Sequence, residues 1–262
     1  MNLYVVERGQ GPTVVLLHGL MATSDMFRWL AEPLAERFHL IIPDLPGHGR
    51  SADVSGPYTV EAMTAWVAAE LESRGVREAH VMGYSHGGTV AQRLALDAPH
   101  LVRSLALVAT YAHNTATRRE RVEGWLAPRL VRALGMRRFA NIVARPGLGG
   151  GPPMPPDQIA WMREMLSGNG TAAMAQAAAE LSGFDSRPWL GRLRVPTLVV
   201  CGEVDSAVPV HHVRMLTEGI AGSRSVTVPG AGHTLVWTHR DQLAQILTTW
   251  WSDISAEAGA GA

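Results

Sequence analysis

The chain has 262 residues, of which 47% are hydrophobic, and its 23 basic and 23 acidic residues give a formal net charge of zero. That length is enough for one α/β domain with an insertion, and the balanced charge argues against nucleic acid or an anionic membrane surface as a partner. The single cysteine, Cys201, excludes a disulfide bond within the chain and is typical of a reducing compartment.

The first residues do not show the pattern of a secretory leader. The apolar run at 14–17 is short, it follows Glu7 and Arg8, and no small-residue cleavage site comes after it. Apolar stretches stay well below the roughly 18 residues that a membrane-spanning helix needs. We therefore expect a cytoplasmic protein that does not use a membrane as a partner.

Short apolar runs alternate with longer amphipathic ones, which predicts a mostly parallel sheet with helices on both faces. Short runs rich in Val and Leu suit strands that are buried on both faces. The predicted strands are residues 2–7, 13–17, 40–43, 79–83, 105–109, 197–201 and 225–228. The predicted helices between them are residues 26–37, 59–74, 87–98, 210–219 and 240–251.

The alternation breaks between residues 113 and 186, where the chain is rich in Arg, Met and Ala. A Gly/Pro cluster at 146–153 divides this stretch, and helical patterns flank the cluster at 117–144 and 156–181. We predict a helical cap. A disordered linker is the alternative, but apolar side chains are too frequent for that interpretation.

The predicted domain organisation follows from this insertion. An α/β core consists of residues 1–112 and 187–255, and the helical cap consists of residues 113–186. The Ala/Gly-rich residues 256–262 are expected to form a disordered tail.

The pentapeptide Gly-Tyr-Ser-His-Gly at 83–87 is the most informative motif. It lies between a predicted strand and a predicted helix, where a G-x-S-x-G pattern forms a sharp turn that lifts the serine oxygen out of the path of the backbone. Glycine is needed at both ends of the turn because larger side chains would collide with the flanking strand and helix. Ser85 is therefore the candidate nucleophile.

A serine nucleophile needs a base beside its hydroxyl and an acid that orients the base. His233, which ends a Gly-Ala-Gly-His run after the last predicted strand, is the candidate base. Asp205 lies in the loop after strand 197–201, at the carboxyl end of the sheet, and is the candidate acid. Glu203 is the competing acid, and a helix-capping role is the alternative for Asp205. Ordinary structural or surface roles are expected for His86, His211, His212 and His239.

Two backbone N–H groups are expected to bind the oxyanion. The first belongs to His86, which follows the nucleophile at a helix N-terminus, where N–H groups and the helix dipole favour negative charge. The second belongs to the loop 18–21, with Leu20 as the best candidate. His18 is expected to hold this loop by hydrogen bonds.

Five motifs in register resemble the α/β-hydrolase superfamily, in the chain order Ser, Asp, His. They are Leu17-His18-Gly19, the Asp44–Ser51 segment, the Gly83–Gly88 elbow, the Gly202–Pro209 segment and Gly230-Ala231-Gly232-His233. The resemblance implies a mainly parallel sheet, a lid formed by the cap, and a catalytic triad of Ser85, Asp205 and His233. It also implies that the Asp44–Ser51 segment is a structural loop, so that Asp44 and His48 are not the acid and base.

One residue departs from many relatives, which carry Met or another apolar residue where this chain has His86. The side chain of His86 either packs beneath the cap or touches substrate. Serine at the elbow argues against the dehalogenase and epoxide hydrolase chemistries, because relatives with those activities place aspartate there.

The expected reaction is hydrolysis of a carboxylic ester or lactone with an apolar acyl part, through an acyl-enzyme on Ser85. Met21, Tyr111, Trp161 and Met165 are expected to line the substrate pocket. A biosynthetic enzyme that catalyses cyclisation, elimination or C–C cleavage is the first alternative, and a ligand-binding receptor is the second. A thioester also remains open, and the oligomeric state is not readable.

The sequence predicts neither a cofactor nor a metal site. His211 and His212 are adjacent, but the sequence does not indicate a third ligand near them. Glycine-rich loops in the context of a dinucleotide or phosphate site are also lacking. The expected partner is a small-molecule substrate alone.

Overall fold

A seven-stranded sheet organises the part of the chain that the computed structural model describes, which is residues 2–260 for the backbone and 2–256 for the side chains. Its order is β1-β3-β2-β4-β5-β6-β7, and only β1 runs antiparallel to its neighbour β3 among these strands. The strands are β1 Val5–Arg8, β2 Thr13–Leu17, β3 His39–Pro43, β4 Ala79–Tyr84, β5 Val102–Val108, β6 Thr197–Gly202 and β7 Arg224–Val228.

Helices connect these strands and cover both faces of the sheet. They are α1 Ala31–Ala35, α2 Val60–Ser73, α3 His86–Asp97, α4 Arg118–Val143, α5 Pro156–Ser167, α6 Thr171–Ser182, α7 Val210–Gly219, α8 Leu235–Thr238 and α9 Arg240–Ala260. Short 3₁₀ helices are formed by Ser24–Phe27, Gly49–Ser51, Pro99–Leu101 and Leu190–Arg192. The predicted fold class is confirmed. No helix in the described range is both long and apolar enough to cross a membrane.

The core lies on both faces of the sheet because successive side chains of a strand point to opposite faces. In β2, Val14 and Leu16 belong to one buried apolar cluster, while Val15 and Leu17 belong to the other. The central strands, such as β2, β4 and β6, are buried on both faces of the sheet. This explains why their sequences are continuous apolar runs rather than alternating patterns.

The first predicted helix, 26–37, is wrong as a single element. The structure has a 3₁₀ turn at Ser24–Phe27, capped by the Thr23 side chain, and then the short α1. Pro33 lies inside α1, and a helix running through it from further upstream would lose a backbone hydrogen bond.

Three helices occupy the stretch predicted as a cap. Helix α4 is kinked at Gly135, which has a φ of 71°. The predicted helix 156–181 is divided into α5 and α6. Helix α5 ends at Ser167 with Gly168 as its C-cap, and the Asn169 side chain then binds backbone carbonyls of α5. The domain bounds at 112/113 and 186/187 stay a prediction.

The last helix is longer than the sequence predicts. It continues from the expected end at residue 251 to Ala260, so residues 256–260 of the predicted disordered tail are helical. Ala and Glu in this segment are strong helix formers, which outweighs the glycine at 259. Residues 261 and 262 lie outside the described residues.

Candidate active site

Ser85 occupies a sharp turn between β4 and α3. Its φ of 51° and ψ of −118° are unusual for a residue with a side chain, and such strain persists only where the surroundings enforce it. The N–H of Ser85 donates to the Val108 carbonyl at 3.0 Å, and its own carbonyl accepts from the Thr110 hydroxyl at 2.6 Å. A Cβ at Gly87 would collide with the Leu17 carbonyl. The packing of β2 and β5 against the turn thus fixes the serine at the end of the sheet.

His233 and Asp205 form a hydrogen-bonded pair. The Nδ1 atom of His233 lies 2.9 Å from Oδ2 of Asp205, and the other carboxylate oxygen accepts from the N–H groups of Ala207 and Val208 at 2.9 and 2.8 Å. The Asp205 side chain is fully buried, while that of His233 is 21% exposed. Because the carboxylate accepts the Nδ1–H proton, Nε2 of the neutral ring is left with its lone pair, as a general base requires.

Glu203, the competing acid, has a different partner. Its Oε2 accepts from the Gly230 N–H at 2.8 Å and so supports the loop that carries His233. The structure thus pairs the base with Asp205 and uses Glu203 to hold the backbone of the same loop.

Two further contacts hold the loop of the base. The Tyr84 hydroxyl, one residue before the candidate nucleophile, donates to the His233 carbonyl at 2.6 Å, and burial raises the pKa of Tyr84. From the Gly/Pro cluster, the Gly149 carbonyl accepts from the N–H of His233 at 2.8 Å and from that of Ser206 at 3.2 Å. One carbonyl therefore joins the loops of the candidate acid and base.

Glycine is required in this cluster because its backbone lies very close to the backbone of the loop that carries Asp205. Gly150 has a φ of 77°, and a Cβ there would collide with the carbonyl oxygen of Val204. The sequence pattern indicated only that residues 146–153 divide two helices. The run of three glycines at 149–151 could have indicated that this segment packs closely against the backbone of another loop, because glycine is the residue that allows such an approach.

Both predicted oxyanion donors belong to backbone near Ser85. His86 is the first residue of α3, so its N–H has no acceptor within the helix. Leu20 lines the same cavity as Ser85, and its N–H has no acceptor among the hydrogen bonds of the described residues. The loop passes close to the elbow, since a Cβ at Gly19 would lie 3.5 Å from the Cβ of Ser85.

The sequence matches the alpha/beta hydrolase fold family over residues 12–144 and 160–240. The chain belongs to this family. The pimeloyl-(acyl-carrier protein) methyl ester esterase of Aeromonas hydrophila is 31% identical over 260 residues, which cover 94% of this chain and 98% of that protein. The protein of the same name from Chromobacterium violaceum is 30% identical and covers 94% of this chain and 97% of its own length. A thermophilic esterase from Thermogutta terrifontis superposes with a TM-score of 0.86 at 26% identity, covering 96% of this chain and 93% of its own.

The loop motifs of this α/β-hydrolase hold the oxyanion side of the site. His18 is buried, its Nε2 accepts from the Leu45 N–H at 2.8 Å, and its Nδ1–H donates to the Gly19 carbonyl at 2.9 Å. Burial lowers the pKa of His18, which keeps the ring neutral and able to accept. Asp44 accepts from the Ser24 and Arg50 N–H groups at 2.6 and 2.9 Å. These contacts fit the structural role that the resemblance implies for this loop.

His86 is fully buried and packs beneath the elbow. Its Nδ1 has no hydrogen-bond partner among the described residues, and burial lowers its pKa to about 3. The nearest ring is that of His48, with centroids 6.3 Å apart. His86 is outside the cavity lining, which favours the packing interpretation over a contact with substrate.

A cavity of about 310 Å³ contains Ser85 and His233 in its wall. Most of the remaining wall is apolar, and much of it comes from the helices between β5 and β6 and from the Gly/Pro cluster. Besides the predicted residues, the side chains of this lining include Phe139, Val143, Ile159, Leu166 and Trp237.

Of the four predicted pocket residues, only Met21 lines this cavity. Tyr111 is buried in the second apolar cluster, with its ring 5.6 Å from that of His212. Trp161 packs against Trp29 and donates its Nε1–H to Asp25 at 2.8 Å. Met165 packs into the apolar cluster beside the cavity. None of these three residues is in the described lining of the cavity. For Trp161 and Met165 the reason is that α5 carries apolar residues on more than one face, and sequence alone does not tell which face meets the serine.

The structure also supplies a partner for the adjacent histidines. Glu120, on α4, places its Oε1 2.8 Å from Nε2 of His211 and 3.1 Å from Nε2 of His212. Burial lowers the pKa of His212 to about 4. The sequence-based expectation that no third ligand lies near these histidines is therefore wrong, because Glu120 is 91 residues away along the chain and only the fold brings it there.

Proposed function

We propose that this α/β-hydrolase cleaves carboxylic esters through an acyl-enzyme on Ser85, with His233 as general base and acid and Asp205 as its orienting carboxylate. The observation that carries the proposal is the hydrogen bond between the buried Asp205 carboxylate and His233, whose ring lines the same apolar cavity as a serine held at positive φ. Relatives named as esterases, at 30–31% identity over nearly the whole chain, support ester hydrolysis as the reaction.

In the first half of the reaction, Nε2 of His233 takes the hydroxyl proton of Ser85 as the oxygen attacks the ester carbonyl. The N–H groups of Leu20 and His86 stabilise the negative charge that develops on the carbonyl oxygen. Asp205 stabilises the imidazolium ring. The ring then gives the proton to the departing alkoxide, which leaves as an alcohol.

In the second half, water enters and His233 takes one of its protons. The resulting hydroxide attacks the acyl group on Ser85, the oxyanion forms at the same two N–H groups, and His233 returns the proton to the serine oxygen. The carboxylic acid is released and the enzyme is restored without a cofactor step.

The cavity wall supports an apolar acyl part. We propose that residues 113–186 act as a cap over the serine, since α4, α5 and the Gly/Pro cluster contribute much of this wall. The cavity has no charged side chain besides Arg145 and the catalytic imidazole in its described lining. Lactones with an apolar ring substituent present the same carbonyl and the same apolar surface, so they belong to the proposed substrate class.

The test is labelling with a fluorophosphonate, read by intact-protein mass, together with hydrolysis of p-nitrophenyl butyrate. We expect one adduct on the wild-type chain and none on Ser85→Ala, which also loses at least about 10³-fold in turnover. A folded wild-type protein that neither reacts with the probe nor releases p-nitrophenol would contradict the proposal. An adduct without added water in any substrate would instead favour a non-hydrolytic acyl or C–C reaction.

A further inference from the structure

Two histidines and one carboxylate converge outside the described lining of the cavity. His211 and His212 are in the first turn of α7, and Glu120 is in the first turn of α4. One ring nitrogen of each histidine and a carboxylate oxygen of Glu120 all lie within 4.8 Å of one another. The rings of the adjacent histidines lie with centroids 4.1 Å apart and planes tilted by 38°. Both present Nε2 to the same carboxylate oxygen.

The carboxylate alone does not satisfy these rings. Nε2 of His211 is buried and makes no hydrogen bond among the described residues, although it is 2.8 Å from the Glu120 oxygen. The side chain of His212 is 1% exposed, and its Nδ1 is likewise without a partner. A buried ring nitrogen is costly when it lacks a partner, so a group that binds Nε2 of His211 would stabilise this arrangement. The same group can reach Nε2 of His212, whose present partner is Oε1 of Glu120 at 3.1 Å.

Glu120 is positioned for such a group by its own helix terminus. Its Oε2 accepts from the Thr117 N–H at 2.8 Å, and its own N–H donates to the Thr117 hydroxyl at 3.2 Å, which is a capping box. One carboxylate oxygen is thereby held by the backbone, and the other, Oε1, faces the histidines. Metal-binding carboxylates are commonly oriented by hydrogen bonds of this kind.

We propose that Glu120, His211 and His212 bind a divalent transition-metal ion, with Zn²⁺ as the best fit, and that this ion fastens α4 to α7. Two imidazole nitrogens and one carboxylate oxygen are a usual zinc ligand set, with metal–ligand distances near 2.0–2.2 Å. Tetrahedral ligands at such distances are about 3.3 Å apart, so the present 2.8 and 3.1 Å separations need only a small withdrawal of the carboxylate. A fourth position stays open for water.

The location gives the ion a structural role rather than a part in acyl transfer. Helix α4 opens the inserted helices, while α7 directly follows the loop that carries Asp205. A metal bound between them joins the inserted helices to the core beside the acid. The inference does not depend on the proposed ester hydrolysis, because none of the three ligands is among the described residues that line the cavity.

The test uses the full chain without an affinity tag, stripped with EDTA and then titrated with Zn²⁺ by calorimetry. We expect one equivalent to bind at micromolar or lower concentration and the midpoint of thermal unfolding to rise. Glu120→Gln keeps the volume and the capping acceptor but removes the charge, and we expect it to weaken binding about 10–100-fold. His211→Ala, at a partly exposed position, is expected to weaken binding by at least the same factor.

The matched control is His100→Ala, which removes an exposed histidine that also lies near a carboxylate, 3.4 Å from Glu72. It should leave zinc binding unchanged. Binding of Co²⁺ gives a second readout, since the wild-type protein should show the visible absorption of a low-coordinate cobalt site and His211→Ala should not. The proposal is overturned if the stripped wild type binds no equivalent of zinc, or if Glu120→Gln and His211→Ala bind it as tightly as His100→Ala does.

Discussion

The two carboxylate oxygens of Asp205 have separate tasks. One accepts from two backbone N–H groups and fixes the side chain, and the other faces Nδ1 of His233. The sequence allowed two roles for Asp205, a helix cap or the acid of the triad. The two oxygens explain why the side chain fits both roles at once. Both interpretations describe the same carboxylate.

Asp205→Asn should therefore damage catalysis more than stability. The amide keeps the contact with the loop but presents an N–H to His233, which favours the wrong ring tautomer, so we expect kcat to fall about 10³–10⁴-fold with ester substrates. Steady-state kinetics and thermal unfolding measure the two effects. The matched control is Glu203→Gln, whose side chain supports the Gly230 N–H, and it should cost far less in kcat. Equal losses in the two variants would contradict the assignment.

His86 gives the protein a stability that depends on pH. Its pKa is about 3 in the folded chain because burial penalises the charged ring, whereas an unfolded chain has a value near 6.5. Between these values the unfolded chain binds a proton that the folded chain does not. The free energy of unfolding therefore has its full value above about pH 6.5 and falls as the pH is lowered toward 3, by at most about 1.4 kcal/mol per pH unit for this group.

We expect His86→Met to reduce the slope of this dependence, while other buried histidines such as His80 and His212, whose pKa values burial also lowers, keep the remainder. Methionine fills the same apolar site without a titrating group or an unpartnered Nδ1. Urea unfolding at a series of pH values between about 7.5 and 4.5 measures the slope of stability against pH. His100→Ala, which removes an exposed histidine, is the control and should keep the wild-type slope. The explanation fails if His86→Met keeps that slope as well.

At the scale of elements, the junction between α5 and α6 binds the loops of the core. The Nδ2–H₂ of Asn169 donates to the Met21 carbonyl at 2.6 Å, and its Oδ1 accepts from the Gly49 N–H at 2.9 Å. The same side chain interrupts the helix that the sequence pattern predicted as continuous. The interruption thus has a function, which is to attach the inserted helices to the loop that bears Leu20.

Asn169→Ala should loosen this attachment. Loss of the two hydrogen bonds to the core loops, together with the contacts to the α5 carbonyls, is expected to lower the free energy of unfolding by about 1–3 kcal/mol. It should also reduce kcat/KM several-fold, because the loop that carries Leu20 loses the hydrogen bond from Asn169 to the Met21 carbonyl. Asn141→Ala removes an exposed asparagine of α4 and is the control. Thermal unfolding and ester hydrolysis measured on both variants decide whether the effect belongs to this site.

The sequence supports the elements of the core better than those of the insertion, and the difference has a physical cause. Strands β2 and β6 are short apolar runs buried on both faces, so their residue types alone specify them. The glycine elbow and the Gly-Ala-Gly-His run are likewise local patterns with a steric reason. Pairings such as Glu120 with His211 depend on tertiary contacts across the whole insertion, and no local pattern encodes them.

At the scale of the whole molecule, the cavity is formed jointly by the core and the inserted helices, so its size should govern substrate choice. Leu166 on α5 is buried and lines the wall. Leu166→Trp should fill part of the space and lower kcat/KM for p-nitrophenyl octanoate at least about 10-fold, while the acetate loses less. Leu126→Trp makes the same change at an exposed position of α4 and should leave the ratio unchanged. An unchanged ratio in Leu166→Trp would mean that the acyl chain lies elsewhere.

The carbonyl of Gly149 has a consequence for engineering and for evolution. It belongs to the insertion, yet it receives the N–H groups of His233 and of the residue after Asp205. Recombination that exchanges the insertion as a module between related hydrolases would remove this acceptor from both loops at once. A transplanted insertion is expected to work only if it brings its own backbone acceptor to this position. Chimeras with junctions that leave 149–151 in place should accept foreign α4, α5 and α6 far more readily than chimeras that replace the whole stretch.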